Sequence, residues 1–245
     1  MSNKTKTAYV CACILMIAAL TGCAWWNKLW GKVEPTKETP EIMYQKGNDA
    51  YKNGKYDKAV EAFQRVKEEY PLSELAILAE LGIADSHFSN EEYVEAELAY
   101  TDFLNMHPTN ENLPYVMYQL GLCHYNQISS IDRDQTDTIK ALKEFDRLVS
   151  RFPQSKLSFL AEKKISECRQ SLAEQEFYIG HFYFKRKQYK AALDRFETIQ
   201  KDYAGLGLDY KVAYFIQETK RRLDEEKEKT AAASSPTAKP LNSKY

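Results

Sequence analysis

The chain has 245 residues, with 34 Lys and Arg against 35 Asp and Glu, so its formal net charge at pH 7 is −1. This balance gives no argument for a nucleic-acid partner, because nucleic-acid-binding domains concentrate positive charge on one face. The length suits one sizeable domain or one array of repeats.

The first 22 residues have the pattern of a secretory signal peptide. Lys4 and Lys6 provide a positive start, the 13 residues from Ala8 to Leu20 are almost wholly apolar, and Thr21-Gly22 are small. This order of charge, apolar run and small residues is typical of exported proteins. A retained membrane anchor is the alternative, but a spanning helix needs about 20 residues. We therefore predict a signal peptide over residues 1–22.

The apolar run ends in a cysteine. Residues 20–23, Leu-Thr-Gly-Cys, resemble the lipobox of bacterial lipoproteins, which implies cleavage before Cys23 and lipidation of its thiol. Several acyl chains are needed because one chain gives only marginal membrane binding. The alternative is an incidental or buried cysteine. Alanine at position 24, by resemblance to lipoprotein sorting signals, favours the outer membrane.

Four segments further along the chain repeat one pattern of spacing. Each has an alanine, an aromatic residue four positions later, an apolar residue seven positions later and a small residue upstream. The alanines are Ala59, Ala96, Ala141 and Ala192, the aromatic residues are Phe63, Tyr100, Phe145 and Phe196, and the small residues are Gly47, Ala84, Gly121 and Gly180. Pro71, Pro108 and Pro153 follow the first three copies, and Ala204 takes that place in the fourth. Spacings of four and seven place side chains on one face of a helix.

This pattern resembles the tetratricopeptide repeat, a helix–turn–helix unit of about 34 residues. We predict an all-α fold over residues 41–229, an α-solenoid of about five tetratricopeptide-like helix pairs. The third pair has an insertion around residues 129–137, where Asp134 or Asp137 caps the next helix, and the fourth contains a nearly continuous helix over 157–187. An unrelated helical bundle is the alternative.

The flanking segments differ in composition from the repeats. We expect a lipidated cysteine and flexible tether over residues 23–40, a final capping helix over 209–229, and a disordered tail over 230–245. The tail is rich in Ala, Ser, Pro and Lys and has too few large apolar residues to bury a core.

No catalytic motif is present in the sequence. It contains no H-E-x-x-H, C-x-x-C, G-x-S-x-G or P-loop pattern, so we predict no enzyme activity, no cofactor and no metal site. His87 and His124 fall on the packing face of the repeats, and we interpret them as structural. We expect Cys123 and Cys168 to be buried free thiols, because cysteine packs as a small hydrophobe.

The first helices of the first three pairs carry large side chains seven positions apart. The spaced residues are Tyr44 with Tyr51, Leu81 with Phe88, and Tyr118 with Tyr125, with Asn48, Asp85 and Leu122 between them. Stacked in register, they predict one aromatic-walled groove, in which we include Tyr115. Such a groove suits an extended or helical peptide with apolar side chains. The alternative is that these rings pack against neighbouring repeats.

Three long segments, 107–122, 132–155 and 178–196, resemble the corresponding segments of the BamD/ComL family. The resemblance implies a non-enzymatic lipoprotein of the β-barrel assembly machinery, anchored in the outer membrane and facing the periplasm. It implies that the carboxy-terminal half binds BamA alongside other assembly subunits. It also implies that the amino-terminal half receives the carboxy-terminal signal strand of unfolded outer-membrane proteins.

The same resemblance suggests roles for two residues. Arg195, in the segment ALDRF, matches a family arginine on the BamA-facing side, and Tyr70 matches a family tyrosine beside the substrate groove. The family often continues after the next proline with Phe-Gly, whereas this chain has Leu72-Ser73. The alternative function is a tetratricopeptide lipoprotein that organises the cell envelope through peptidoglycan-associated or Tol/Pal proteins.

Overall fold

The computed structural model describes residues 37–234, and these residues form nine α-helices and no β-strand. The helices are α1 Pro40–Lys52, α2 Tyr56–Glu69, α3 Glu74–Ser89, α4 Tyr93–Met106, α5 Leu113–Tyr125, α6 Thr136–Arg151, α7 Lys156–Lys185, α8 Tyr189–Asp202 and α9 Asp209–Ser234. The signal peptide predicted over residues 1–22, the lipidated Cys23 and the tether up to residue 36 lie outside the described residues.

Each helix packs against the next one in chain order, from α1 to α9. In addition α1 contacts α3 and α5 contacts α7, so first helices of successive pairs touch. Contacts restricted to neighbouring units define a solenoid. The predicted all-α solenoid of tetratricopeptide-like repeats is therefore confirmed, with four helix pairs followed by α9 within the described residues.

Prolines end the second helices of the first three pairs. The residue before each proline cannot stay helical, because the proline ring clashes with its backbone. Accordingly Tyr70, His107 and Phe152 have φ between −136° and −125°. After α8 the same turn forms without proline, and Gly205 provides a positive φ of +82° instead.

In three pairs, the glycine upstream of the repeat alanine leaves room for the aromatic ring of the same pair. A Cβ atom added to the glycine of three pairs would lie 2.4 to 2.8 Å from that ring, which is too close for any real contact. The pairs are Gly47 with Phe63, Gly121 with Phe145, and Gly180 with Phe196. The four repeat alanines and their aromatic partners are all buried. The predicted register of the repeats is therefore correct.

The insertion in the third pair is held by polar side chains. Asp134 Oδ1 accepts a hydrogen bond from the Thr136 backbone N–H at 2.9 Å, as the predicted cap should, although the residue at the N-cap position is Gln135. The buried Gln135 side chain donates to the Ser130 carbonyl and accepts from Thr138 Oγ1 at 2.6 Å. These bonds replace backbone pairing in a segment that has no helix.

The last helix begins at the predicted residue but ends later. α9 continues to Ser234, so residues 230–234, predicted as the start of a disordered tail, are helical. This stretch reads Thr-Ala-Ala-Ala-Ser, and alanine has the highest helix propensity of all residues. The remainder of the predicted tail, residues 235–245, lies outside the described residues.

Both cysteines of the described residues are free and buried, as predicted. Burial raises the pKa of Cys123 to about 12 and that of Cys168 to about 11, so both stay protonated at neutral pH. His87 Nδ1 lies 2.7 Å from Glu92 Oε2, and His124 is buried in α5. Between residues 37 and 234, no helix is long and apolar enough to cross a membrane.

Candidate functional site

A recess of about 350 Å³ opens on the side formed by α1, α3 and the start of α5. The residues that line it are Tyr44, Asn48, Tyr51, Phe63, Leu78, Leu81, Gly82, Asp85, Asn112 and Tyr115. Helical spacing explains the lining, because positions i, i+4 and i+7 of α1 lie on one face and α3 presents its own face beside them.

Aromatic rings form one wall of this recess. The Tyr44 ring lies 5.4 Å from the buried Phe63 ring, which reaches the lining because Gly47 and Gly82 have no side chains on either side of it. The Tyr51 hydroxyl lies 2.8 Å from Ser89 Oγ, a hydrogen bond that joins α1 to the end of α3. The wall is therefore fixed by packing and by a hydrogen bond between two repeats.

A carboxylate also lines the recess. Asp85 Oδ1 accepts hydrogen bonds from Tyr100 Oη at 2.5 Å and from Tyr115 Oη at 2.7 Å. Gln119 Nε2 in turn donates to Tyr115 Oη at 3.0 Å. Burial raises the pKa of Asp85, and the two tyrosine hydrogen bonds oppose that shift. Burial also raises the pKa of Tyr100 and Tyr115, so both hydroxyls remain protonated donors.

Four of the eight residues predicted to form the groove meet in this recess, namely Tyr44, Tyr51, Leu81 and Tyr115. Phe88 lies elsewhere, packed edge-on against Tyr93 of α4 with ring centroids 5.5 Å apart. The predicted stripe across three repeats is thus not continuous.

Tyr118 and Tyr125 lie against the third pair instead. Both rings pack on Phe145, at centroid distances of 5.7 and 6.5 Å. The Tyr125 hydroxyl donates to Glu167 Oε2 at 2.7 Å, and Lys164 Nζ lies 3.8 Å from the centre of the Tyr125 ring. The physical reason is that both tyrosines lie on α5, which packs against Phe145 of α6 and against Glu167 and Lys164 of α7.

Tyr70 also lies outside the recess. Its hydroxyl donates to the Glu38 backbone carbonyl at 2.6 Å, and Lys37 Nζ lies 4.9 Å from the centre of its ring. Thr39 then caps α1 through its side chain. Tyr70 therefore fastens residues 37 and 38, the last part of the predicted flexible tether, to the first repeat.

Sequence reasoning placed Asn48 and Asp85 in the groove, but it did not identify Asn112 or the hydrogen bonds of Asp85. Asp85 follows Leu81 by four positions, so its place on the same face was visible from the sequence, but its two tyrosine partners were not. Asn112 precedes α5 and enters the lining only because the α4–α5 turn passes the end of the recess.

Arg195, the predicted partner-binding residue, lies on α8. Its side chain is 41% exposed, and Nη1 lies 3.0 and 2.9 Å from the two carboxylate oxygens of Glu176 on α7. Arg195 also lines a shallow depression with Tyr183, Asp194 and Thr198. The guanidinium is thus accessible but already paired within the chain.

The helices α7 and α9 expose further aromatic side chains that the sequence analysis did not single out. The exposed rings are Phe159, Tyr178, Phe182, Tyr210 and Tyr214. A second recess, of about 370 Å³, is lined by residues of these helices that include Phe177, Tyr178, His181 and Lys211. Exposed aromatic residues of this kind are typical of protein interfaces.

Residues 37–234 contain no group of three or more His, Cys, Asp or Glu side chains that could hold a metal ion. The first recess offers apolar rings together with the polar side chains of Asn48, Asp85 and Asn112.

Solved structures with a related fold include tetratricopeptide domains. The TPR2AB domain of yeast Sti1, in a complex with an Hsp90 peptide, is 15% identical, with a TM-score of 0.45 over 75% of this chain and 70% of that one. The Arabidopsis OM64 TPR domain is 20% identical, with a TM-score of 0.41 over 52% of this chain and 94% of that one.

Curated relatives are similar over most of the repeat domain. A protein of Caulobacter vibrioides named outer membrane protein assembly factor BamD is 31% identical over 199 residues, which are 79% of this chain and 63% of the relative. A protein of the same name from Rickettsia prowazekii is 34% identical over 161 residues, 66% of this chain and 64% of the relative. The chain thus matches a little under two thirds of the length of these two relatives.

The family described as outer membrane lipoprotein, YfiO, matches residues 36–234. This range includes all nine helices of the described residues, both recesses and Arg195. The chain therefore belongs to the YfiO family of outer membrane lipoproteins.

Proposed function

We propose that this chain is a non-enzymatic lipoprotein of the outer-membrane β-barrel assembly machinery that binds BamA and unfolded outer-membrane proteins. The observation that carries this proposal is the family match over residues 36–234, together with relatives named as outer membrane protein assembly factors. The solenoid supports it, because stacked repeats present extended surfaces that suit binding to other chains.

The first recess is the proposed site for unfolded outer-membrane proteins. Strands of such proteins alternate apolar and polar residues and carry aromatic residues where they meet the membrane surface. The rings of Tyr44 and Tyr51 and the side chain of Leu81 would give such an aromatic residue an apolar surface to pack against. Unpaired strands aggregate unless their edges are covered. A carrier that binds them would therefore keep them from aggregating.

The carboxy-terminal helices are the proposed docking surface for BamA. Exposed aromatic rings on α7 and α9 give large contact areas, and Arg195 gives a charged anchor within the same half of the chain. Aromatic residues and arginine are the side chains that most often dominate binding energy at interfaces. Arg195 would exchange Glu176 for a carboxylate of the partner.

Cys23 is the proposed attachment point to outer-membrane lipid, with the repeats facing the periplasm. A lipid anchor followed by a short tether holds the recess close to the membrane in which barrels assemble. Tethering raises the local concentration of a binding site without adding any contact.

Affinity purification of the tagged chain from detergent-solubilised envelopes tests this function. We expect BamA and other assembly subunits to be recovered with the chain. Recovery of Pal or Tol proteins without BamA would instead support the envelope-organising alternative and overturn the proposal.

Two variants of the tagged chain test the role of Arg195 in the recovery of BamA. Arg195→Ala should leave the fold intact and reduce BamA recovery, because truncating one partner of a desolvated interfacial ion pair costs about 2–5 kcal/mol. Glu176→Gln is the matched control, since it breaks the same pair within the chain but keeps Arg195 available, so BamA recovery should stay at the wild-type level or rise. Equal BamA recovery with Arg195→Ala and wild type would remove Arg195 from the interface.

A further inference from the structure

The second recess, of about 370 Å³, repeats the position of the first recess within its helix pair. Four lining residues of α3 and four of α7 hold the same places relative to the small residues of their pairs, Ala84 and Gly180. In chain order they are Leu78, Leu81, Gly82 and Asp85 in the first recess, and Glu174, Phe177, Tyr178 and His181 in the second. Both recesses therefore lie on the same side of their own helix pairs.

The next first helix completes each recess at a matching place. Tyr115, the third residue of α5, lines the first recess, and Lys211, the third residue of α9, lines the second. The chemistry changes where the position is repeated. Asp85 and Tyr115 in the first recess correspond to His181 and Lys211 in the second.

Lys211 has no acidic partner among residues 37–234, because it belongs to none of their ion pairs. Its ammonium Nζ lies 4.1 Å from the centre of the Phe177 ring. A ring attracts a cation through its face but carries no charge that could neutralise it, and the ammonium keeps N–H donors for other groups. The second recess therefore contains an uncompensated positive charge beside an aromatic ring.

His181 contributes a neutral donor near this charge. Burial lowers the pKa of His181 below its ordinary value of 6.5, and the positive charges of Lys185 and Lys211 lower that pKa further, so the ring is neutral at pH 7.5. The His181 ring stacks on Phe177 at a centroid distance of 6.0 Å, and neither ring nitrogen forms a hydrogen bond within residues 37–234. A neutral imidazole has one N–H to donate.

The one carboxylate in the lining lies away from His181. Glu174 precedes His181 by seven positions, which is about 10 Å along α7. Its Oε1 accepts a hydrogen bond from Gln170 Nε2 at 3.0 Å. Phe177 and Tyr178 lie between these two ends of the recess, and Tyr178 is 48% exposed. The lining thus offers rings in its middle and donors for an anion at the His181 end.

The second recess and Arg195 lie on different sides of α7. The α7 residues nearest to Arg195 are Glu176, its ion-pair partner, and Tyr183, which lines the same shallow depression. At 3.6 residues per turn, both lie roughly opposite the residues of α7 that line the second recess. A ligand in the second recess therefore leaves Arg195 free to engage another protein.

We propose that the second recess is a second subsite for unfolded outer-membrane proteins, and that it takes an aromatic side chain with a carboxylate beside it in the sequence. The aromatic side chain packs on Phe177 and Tyr178, and the carboxylate accepts from Lys211. The inference rests on the proposed role of this chain in receiving unfolded outer-membrane proteins. The matching positions of the two recesses are the reason for assigning both to one class of ligand, and charge complementarity selects the acidic segments.

Three peptides that differ only beside a central phenylalanine test this inference. The phenylalanine lies between two aspartates, two serines or two lysines, in a Gly/Ser sequence of about ten residues, the length of a barrel strand. Acetyl and amide groups block the ends and remove the terminal charges. Binding to the intact lipoprotein in an uncharged detergent at pH 7.5 is measured by calorimetry. We expect the aspartate peptide to bind about fivefold more tightly than the serine peptide, a preference within reach of one charge–charge contact, and the lysine peptide to bind most weakly.

Substitutions of Lys211 test the charge. Lys211→Met keeps an apolar side chain over Phe177 and should bring the aspartate and serine peptides within about twofold of each other. Lys211→Glu should reverse the order of the three peptides, and it should fold normally because an acidic residue is favourable in the first turn of a helix. Lys229→Met is the matched control, at an exposed lysine of α9 that forms no ion pair within residues 37–234, and it should bind all three peptides as wild type does.

Tyr178→Ala tests the aromatic part of the subsite separately. The ring is 48% exposed, so its loss should leave the Tm nearly unchanged. The aspartate and serine peptides should both bind less tightly by a similar factor, while the preference for the aspartate peptide remains. Unchanged affinities with Tyr178→Ala would show that the ring of the ligand does not pack in the second recess, which overturns the inference.

Other sites for the aspartate peptide are distinguished by variants outside the second recess. Tyr51→Ala, in the first recess, and Arg195→Ala, in the shallow depression, should both bind the aspartate peptide as wild type does. Loss of the preference with Arg195→Ala but not with Lys211→Met would place the acidic segment at Arg195 and overturn the inference. A change of oligomeric state on Lys211→Glu would assign the second recess to a second copy of the chain, which also contradicts it.

The outcomes separate the inference from the function on which it rests. If the three peptides bind wild type equally, or none binds while a barrel-strand peptide still binds in the first recess, the second subsite is wrong and the proposed function stands. If no barrel-strand peptide binds either, the proposed role in receiving unfolded outer-membrane proteins fails and the inference fails with it.

Discussion

The contact between a glycine and a phenylalanine is the smallest unit on which these repeats depend. In three pairs the ring occupies the space that a side chain would need, and in the first pair it lies between two glycines, Gly47 and Gly82. Protein interiors are packed as densely as organic crystals, so a single added methyl group is felt. The buried ring therefore requires a glycine beside it, and the glycine leaves the space that the ring fills.

Gly121→Ala tests that contact. The new Cβ would lie 2.4 Å from Phe145 Cε1, and the ring is fully buried, so neither group has room to move. Alanine normally gains about 0.5–1 kcal/mol over glycine in a helix. Overpacking costs about 1–3 kcal/mol. We expect this cost to exceed the gain in helix propensity, so the free energy of unfolding measured in urea should fall.

Two further variants control this experiment. Lys143→Ala, at an exposed position of α6, should change the free energy of unfolding by about 0.5 kcal/mol or less. In a Phe145→Leu background, Gly121→Ala should cost less than in wild type, because the clashing ring is gone. Equal costs in the two backgrounds would show that the glycine and the ring do not interact.

The ion pair between Arg195 and Glu176 contributes little to the stability of the fold. The Arg195 side chain is 41% exposed, and exposed ion pairs contribute only about 0–1 kcal/mol to stability. Loss of this pair therefore affects the fold little. A residue of this kind is free to change partners when a second protein approaches.

Among the helices, equivalent positions of the repeat pattern have different neighbours. The faces of α1 and α3 remain accessible and form the recess, whereas α7 lies on α5 and engages Tyr125 through Glu167 and Lys164. Tyr51 and Tyr125 hold equivalent positions in the sequence pattern. Both hydroxyls bond to the next first helix, Tyr51 to Ser89 and Tyr125 to Glu167, but only Tyr51 lines the first recess.

Comparison of Tyr51→Ala with Tyr125→Ala tests whether a peptide binds in the first recess rather than beside Tyr125 on α5. Tyr51→Ala should weaken binding of a barrel-strand peptide by about tenfold or more, as loss of an aromatic anchor at the centre of a binding site typically does. Tyr125→Ala is the matched control and should bind the peptide as wild type does. Circular dichroism should show that both variants are folded. Equal binding by all three proteins would place the peptide site outside the first recess.

Helix spacing explains how far the elements could be predicted from the sequence. The register of alanine, aromatic residue and glycine follows from a period of 3.6 residues, so each contact such as Gly121 with Phe145 was predictable within one pair. The opening of the recess was not predictable, because it depends on how closely one pair packs on the next. The hydrogen bonds of Asp85 link residues 15 and 30 positions away, and no local pattern indicates them.

In the whole molecule, the two halves of the solenoid offer different surfaces. The first three helix pairs contribute the recess with its carboxylate, and the last pair with α9 contributes exposed rings and Arg195. In the proposed function, this arrangement would let one chain hold a substrate and a partner at the same time. The lipid anchor proposed at Cys23 would add a third attachment, to the membrane.

Cys23→Ser tests the anchor. The variant should fold normally but move from the membrane fraction to the soluble fraction, because serine lacks the thiol to which the lipid would be attached. Mass spectrometry of the wild-type protein should find an acylated cysteine at the new amino terminus. An intact, unmodified amino terminus in the wild type would rule out the lipobox interpretation.

Depletion of the chain in its own host tests the central claim most directly. The amounts of folded barrel proteins in the outer membrane and of unfolded precursors in the periplasm are measured as the chain is lost. A role in barrel assembly predicts that folded barrels fall and precursors accumulate, while Pal and Tol proteins keep their location. Unchanged levels of folded barrel proteins after complete depletion would contradict the proposed function.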